Sequence, residues 1–75
     1  MTDLLPATLV IRVNGEDEPL RARSVAALLA EKEIPPDMRG LAVALNGQVV
    51  PRAEWRETPL AAGDAVEIVL ARQGG

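Results

Sequence analysis

Two Asn-Gly dipeptides constrain the fold of this 75-residue chain more than any other feature. Both residues of such a pair tolerate positive φ, so Asn-Gly between extended segments favours a tight β-hairpin. Asn14-Gly15 follows residues 9–13 and Asn46-Gly47 follows residues 41–45, and both of these segments alternate in side-chain character with a period of two. The sequence therefore predicts two hairpins, one at each end of a central segment.

The remaining strands follow from the same alternation. The first hairpin re-extends through residues 18–21, where Pro19 lacks an amide hydrogen and so must lie at a sheet edge or face solvent. The second hairpin resumes at Val49 and Val50, and residues 65–71 alternate again as a last strand. The pattern thus predicts about five strands, with a possible irregular or 3₁₀ turn around residues 53–56.

One helix is predicted between the hairpins. Ser24 is a good N-cap residue, and Val25, Leu28 and Leu29 share one face at helical spacing. Pro35-Pro36 prevents continuation of the helix. Because a helix of two to three turns is unstable alone, its apolar face must pack against the sheet.

The order β-β-α-β-β-β predicts an α+β fold in which one main helix covers one face of a mixed sheet, the ubiquitin-like β-grasp. The crossover through the helix allows the first and last strands to lie parallel in the middle of the sheet. We expect the domain to span residues 9–71. Residues 1–8 are predicted to be a poorly ordered extension and residues 72–75 a flexible tail.

Composition excludes several classes of function. The chain has no cysteine and no histidine, so it cannot supply a thiol nucleophile, a disulfide or an imidazole base. A net charge of −3 and a single aromatic residue argue against nucleic-acid binding. No membrane span or secretory signal is visible, so we expect a cytoplasmic protein without a membrane partner. The acidic residues 16–18 lack convergent ligands and are interpreted as a solvated turn, so no metal site is expected there. No bound cofactor is expected either.

Reactive chemistry is predicted at the chain end, Arg72-Gln73-Gly74-Gly75. Two glycines remove every β-carbon from the last positions, so the backbone can enter a narrow channel. The terminal carboxylate is ionised and unreactive at neutral pH, and it needs activation, for example by adenylyl transfer from ATP. A sulfur nucleophile would then give a thiocarboxylate, whereas a lysine amine would give an isopeptide bond. A noncatalytic interaction domain with an incidental tail is the third interpretation.

The C-terminal half resembles a known family in the order and spacing of its motifs. Residues 45–52 read Leu-Asn-Gly-Gln-Val-Val-Pro-Arg and are followed by Glu-Trp at 54–55, Glu-Thr-Pro-Leu at 57–60, Gly-Asp at 63–64 and Gln-Gly-Gly at 73–75. These motifs, together with similar segments at 11–16 and 24–29, resemble the sulfur-carrier proteins of thiamine (thiazole) biosynthesis. The small subunit of molybdopterin synthase, which shares the fold and the diglycine tail, is the nearest alternative.

This resemblance implies a carrier that is a co-substrate of partner enzymes rather than an enzyme. An adenylating, E1-like enzyme consumes ATP to activate Gly75, a desulfurase system donates sulfur from a cysteine-derived persulfide, and the thiocarboxylate delivers it to thiazole synthase. Gly74 and Gly75 carry over as the terminal pair of the family.

A partner surface is predicted beside the tail. The inward-facing side chains are expected to be Val43, Leu45, Val66, Ile68 and Leu70. With this assignment, the opposite sheet face carries small and apolar side chains at Ala42, Ala44, Val69 and Ala71. Together with Arg72, Gln73 and Gly74 of the tail, these four are the candidate partner-binding residues. We interpret Trp55 as a lid over one core edge and Asn46-Gly47 as a turn. Four arginines are expected to be mainly solvated: Arg21, Arg23, Arg52 and Arg56.

Overall fold

The computed structural model describes residues 8–71, which form one five-stranded sheet, one α-helix and one 3₁₀ turn. The elements in chain order are β1 (Leu9–Val13), β2 (Glu16–Leu20), α1 (Val25–Glu31), β3 (Leu41–Leu45), β4 (Gln48–Val49), the 3₁₀ turn (Arg52–Glu54) and β5 (Ala65–Leu70). The predicted tail and all of the predicted extension except Thr8 lie outside the described residues. Within the described part of the chain, no helix is long and apolar enough to cross a membrane.

The sheet order β2-β1-β5-β3-β4 confirms the predicted β-grasp arrangement. Strands β1 and β5 are parallel neighbours in the middle of the sheet, and the other pairs are antiparallel. Both predicted Asn-Gly turns are present, with Asn14 and Asn46 each at a φ of 51°. Strand β2 is an edge strand and has no neighbour on its open side. The missing amide hydrogen of Pro19 therefore costs no hydrogen bond to a strand there.

The core lies between α1 and one face of the sheet. Ile11, Val25, Leu28 and Leu29 are completely buried there, which confirms the predicted helical stripe. The hydroxyl of Ser24 accepts a hydrogen bond from the Ala27 amide at 3.1 Å and caps the helix as predicted.

The acidic residues 16–18 differ from the sequence-based expectation because they belong to β2 rather than to a turn. A two-residue Asn-Gly turn lets pairing begin at once, with Val13 opposite Glu16. Asp17 then lies 3.3 Å from the Arg12 guanidinium, and Glu18 lies 2.7 Å from the Lys32 ammonium. These carboxylates therefore pair with cations of this chain.

Trp55 closes the core edge opposite β2, as predicted. Its side chain is 3% exposed, and its indole Nε1 donates to the Val50 carbonyl at 2.8 Å. The Arg52 guanidinium lies 4.8 Å from the ring centroid and donates to the carbonyls of Met38 and Leu41, both at 3.3 Å, and of Pro36. Arg52 is exposed, as expected, but its guanidinium also bonds carbonyls of residues 36–41 and lies against the indole ring, and these contacts were not predicted.

Candidate functional site

Three of the predicted partner-binding residues share the sheet face that points away from α1. Ala42 on β3 pairs directly with Val69 on β5, and Ala44 lies two residues further along β3. Ala42 and Val69 are exposed, whereas Val43 between the two alanines is 1% exposed and faces the core. Ala71 follows β5 and is also exposed. The structure thus brings these positions together, and their role in partner binding stays a prediction.

Register adds further side chains to this outer face. Val49 on β4 pairs with Ala44 and is 75% exposed, so it extends the apolar surface to the sheet edge. Glu67 pairs with Ala44 from the other side and places a carboxylate within the same face. The sequence placed Val49 in a strand but not on this face, because the face depends on its pairing with Ala44 and two residues are too few for alternation to assign it. We call Ala42, Ala44, Val49, Val69 and Ala71 the outer patch.

The inner face of β5 is less buried than expected. Val66 is 1% exposed, as predicted, but Ile68 is only half-buried and Leu70 is 50% exposed. Strand β1 pairs with β5 no further than Val13 opposite Val66. Beyond that pair, no described strand lies on this side of β5, so Leu70 stands at an open corner and not in the core.

Asparagine side chains of the two hairpin turns hold β5 in place. Asn14 Oδ1 accepts from the Ile68 amide at 2.8 Å, and Asn14 Nδ2 donates to the Ile68 carbonyl at 3.3 Å. Asn46 Oδ1 accepts from the Ala65 amide at 2.9 Å, and Asn46 Nδ2 donates to Asp64 Oδ1 at 3.2 Å. The turns were predicted, but these contacts were not, because periodicity gives no information on which strand a turn side chain reaches.

The end of β5 is joined to the residue before β3. The Ala71 amide donates to the Gly40 carbonyl at 2.9 Å. Gly40 has a φ of 83°, and a β-carbon built on it would lie 2.5 Å from the Ala71 carbonyl oxygen. Arg72, Gln73, Gly74 and Gly75, the other predicted site residues, lie outside the described residues.

The described part of the chain offers an exposed apolar surface beside the end of β5. Among residues 8–71, no group of three or more acidic, histidine or cysteine side chains is arranged to hold a metal ion. Because the sequence has neither cysteine nor histidine, a thiol or imidazole mechanism has no residue to use. The geometry therefore provides an exposed apolar face and a fixed strand end from which residues 72–75 continue.

Comparisons with known proteins identify the family. The family model described as "ThiS family" matches residues 4–75. The "Sulfur carrier protein ThiS" of Thermus thermophilus is 35% identical over 66 residues, which cover 88% of this chain and 100% of that protein.

Two solved structures from Geobacter metallireducens are also similar. The crystal structure of a thiamine biosynthesis protein (ThiS) has a TM-score of 0.75 at 28% identity and covers 89% of this chain and 100% of that one. The NMR structure of a thiamine biosynthesis protein has a TM-score of 0.71 at 28% identity, with 89% and 88% of the two chains covered. The fold is thus the ubiquitin-like β-grasp of these neighbours. Together with the family match over nearly the full length, these likenesses show that the chain belongs to the ThiS family.

Proposed function

We propose that this chain is a sulfur carrier of thiamine biosynthesis that holds sulfur as a thiocarboxylate on Gly75. The observation that carries the proposal is a family match that runs through residue 75, on a chain without cysteine or histidine. The name of the Thermus relative, a sulfur carrier protein, and the titles of both Geobacter structures, thiamine biosynthesis proteins, support it.

The proposed chemistry begins with the ionised carboxylate of Gly75. One carboxylate oxygen attacks the α-phosphorus of ATP on an adenylating, E1-like partner, and pyrophosphate leaves. The terminal sulfur of a cysteine persulfide, supplied by a desulfurase system, then attacks the acyl carbon, and AMP leaves. A thiol cleaves the resulting sulfur–sulfur bond, which yields the thiocarboxylate and a disulfide. Thiazole synthase is the proposed acceptor.

In this proposal the folded domain is a co-substrate that partners recognise, and it binds no cofactor itself; the ATP is consumed by the adenylating enzyme. The outer patch is the proposed docking surface, because small side chains such as Ala42 and Ala44 allow another backbone to approach closely. Arg72, Gln73 and Gly74 would contact the channel through which Gly75 reaches the partner's active site.

Substitution of Ala44 by Glu tests the outer patch. Ala44 lies between Val49 and Glu67 in the sheet, so the new carboxylate puts a charge into the apolar face and repels Glu67. We expect the Kd for the adenylating enzyme to rise at least about tenfold, or about 1.4 kcal/mol. Isothermal titration calorimetry measures this Kd. Urea unfolding of the variant shows whether the domain stays folded.

Ala27→Glu is the matched control for this prediction. Ala27 is an exposed residue of α1 on the other side of the molecule, so the same chemical change there should leave the Kd within about twofold, because it lies outside the proposed interface. Equal affinities of the Ala44→Glu and Ala27→Glu variants would remove the outer patch from the interface.

Deletion of the gene from its own cells tests the function as a whole. We expect growth that requires added thiazole and is restored by the intact gene. Loss of molybdenum-enzyme activity with normal thiazole synthesis would instead indicate a molybdopterin synthase subunit. Gly74-Gly75 remnants on substrate lysines, with thiazole synthesis intact, would indicate a protein modifier.

A further inference from the structure

The position at which the tail leaves the domain is defined by one close backbone contact. Ala71 is the last described residue before the tail, and its amide donates to the Gly40 carbonyl at 2.9 Å. Its carbonyl oxygen lies 2.5 Å from the point that a β-carbon on Gly40 would occupy. Real Cβ atoms essentially never lie within 3.0 Å of another heavy atom, so glycine is the residue that permits this contact.

The strand pairings and side-chain hydrogen bonds that the structure describes for β5 end before this point. On the β1 side, strand pairing stops at Val66, and the side chain of Asn14 makes its two hydrogen bonds to Ile68. On the β3 side, the ladder reaches Leu70, which is opposite Leu41. Gly40 extends this side by one residue, and it is therefore the contact nearest to residues 72–75.

The close approach distinguishes Gly40 from the other glycines of the described turns. Gly15, Gly47 and Gly63 have φ values of 85° to 89°, and a β-carbon on any of them would have nothing within 4 Å. Their requirement for glycine comes from the backbone conformation alone. Gly40, at a φ of 83°, has the same requirement and in addition the contact with Ala71.

We propose that Gly40 is a positioning residue that sets the direction in which the tail leaves the domain and so delivers the Gly75 carboxylate to the partner's active site. This inference rests on the proposed function. Four extended residues span at most about 14 Å, so a shift at Ala71 moves the reacting carboxylate while the outer-patch residues within the strands, Ala42, Ala44, Val49 and Val69, still dock. A misplacement of about 1 Å at a reacting group can cost about a hundredfold in rate.

The test compares Gly40→Ala with Gly47→Ala in ATP–pyrophosphate exchange catalysed by the adenylating enzyme from the same cells. Both variants place an alanine at the same positive φ and so carry similar strain, about 1 kcal/mol or more. Gly40→Ala alone forces the backbones of residues 40 and 71 apart. We expect kcat for Gly40→Ala to be at least about tenfold below that for Gly47→Ala, with KM within about twofold of the unsubstituted chain, since four of the five outer-patch residues keep their places in the sheet.

A second pair of synthetic chains covers the case in which Gly40→Ala does not fold. An ester in place of the Ala71 amide removes the hydrogen bond to Gly40 without adding an atom. An ester in place of the Leu70 amide is its control, because amide directions alternate along a strand and Leu70 points its N–H away from β3. We expect kcat to fall for the ester at 71 and to be unchanged for the ester at 70.

The outcomes separate this inference from the proposed function. If the unsubstituted chain supports exchange but kcat is equal within each pair, Gly40 has only a structural role and the inference is wrong. If the unsubstituted chain supports no exchange, adenylation of Gly75 is wrong and the proposed function fails first. As a structural readout, the Ala71 amide resonance should shift in Gly40→Ala and stay in place in Gly47→Ala.

Discussion

Removal of Gly74 and Gly75 should abolish sulfur loading and leave the domain folded. The shortened chain ends at Gln73. Its terminal carboxylate is therefore two residues short of the proposed position and belongs to a residue with a side chain instead of to glycine. All of the described core residues lie within residues 8–71 and are kept in the shortened chain. We expect cells with the shortened chain to require thiazole, while its free energy of unfolding stays within about 0.5 kcal/mol.

A length-matched variant sharpens this result. Replacement of Gly74 and Gly75 by two alanines keeps the carboxylate at its distance from the domain and adds only β-carbons. If the narrow-channel argument holds, this variant also loses most of its loading. Thiazole-independent growth with the shortened chain would show that the chain end is incidental.

Leu28→Ala should produce the largest loss of stability. Leu28 lies in the middle of α1 and is 0% exposed, so truncation removes buried apolar surface and leaves a cavity against the sheet. Such substitutions cost about 2–5 kcal/mol, whereas a 75-residue domain is stable by only about 4–11 kcal/mol. We expect Tm to fall by roughly 10 °C or more, as measured by circular dichroism.

Leu70→Ala is the control for that prediction, because Leu70 is the same residue type at 50% exposure. Its truncation should cost about 1 kcal/mol or less, since half of the side chain already contacts solvent. Equal Tm shifts for the two variants would mean that Leu70 is part of the core after all, as the alternation of β5 had suggested.

Short-range chemistry explains why most of the fold could be predicted. Asn-Gly pairs require a turn, alternation requires a half-buried strand, and Ser24 with the stripe through Leu28 requires a helix that packs on the sheet. These signals lie within a few residues of the elements they specify. For β2, Pro19 left two alternatives, an edge strand or a solvent-facing position, and the structure shows an edge strand.

The contacts that could not be predicted depend on chain segments distant in sequence. Asn14 reaches Ile68, which is 54 residues away, and Gly40 lies against Ala71. Periodicity assigns Leu70 to the inner face correctly, but its exposure depends on where β1 ends. For Arg52, the nearby carbonyls that it bonds exist only once the loop before β3 has folded beside Trp55.

Selective alkylation is the most direct test of the central claim that Gly75 carries sulfur. The chain has no cysteine, so a thiol-directed alkylating reagent at neutral pH has no thiol to modify in the unloaded protein. Protein isolated from its own cells during thiamine synthesis would be alkylated, and the adduct would be located by mass spectrometry of the C-terminal peptide. Replacement of one carboxylate oxygen by sulfur and oxidation of Met38 raise the nominal mass of the intact protein by the same amount. Location of the adduct in the C-terminal peptide distinguishes the two. The account predicts one adduct on Gly75 that is lost when Gly74 and Gly75 are removed; an unmodified carboxylate under the same conditions would contradict it.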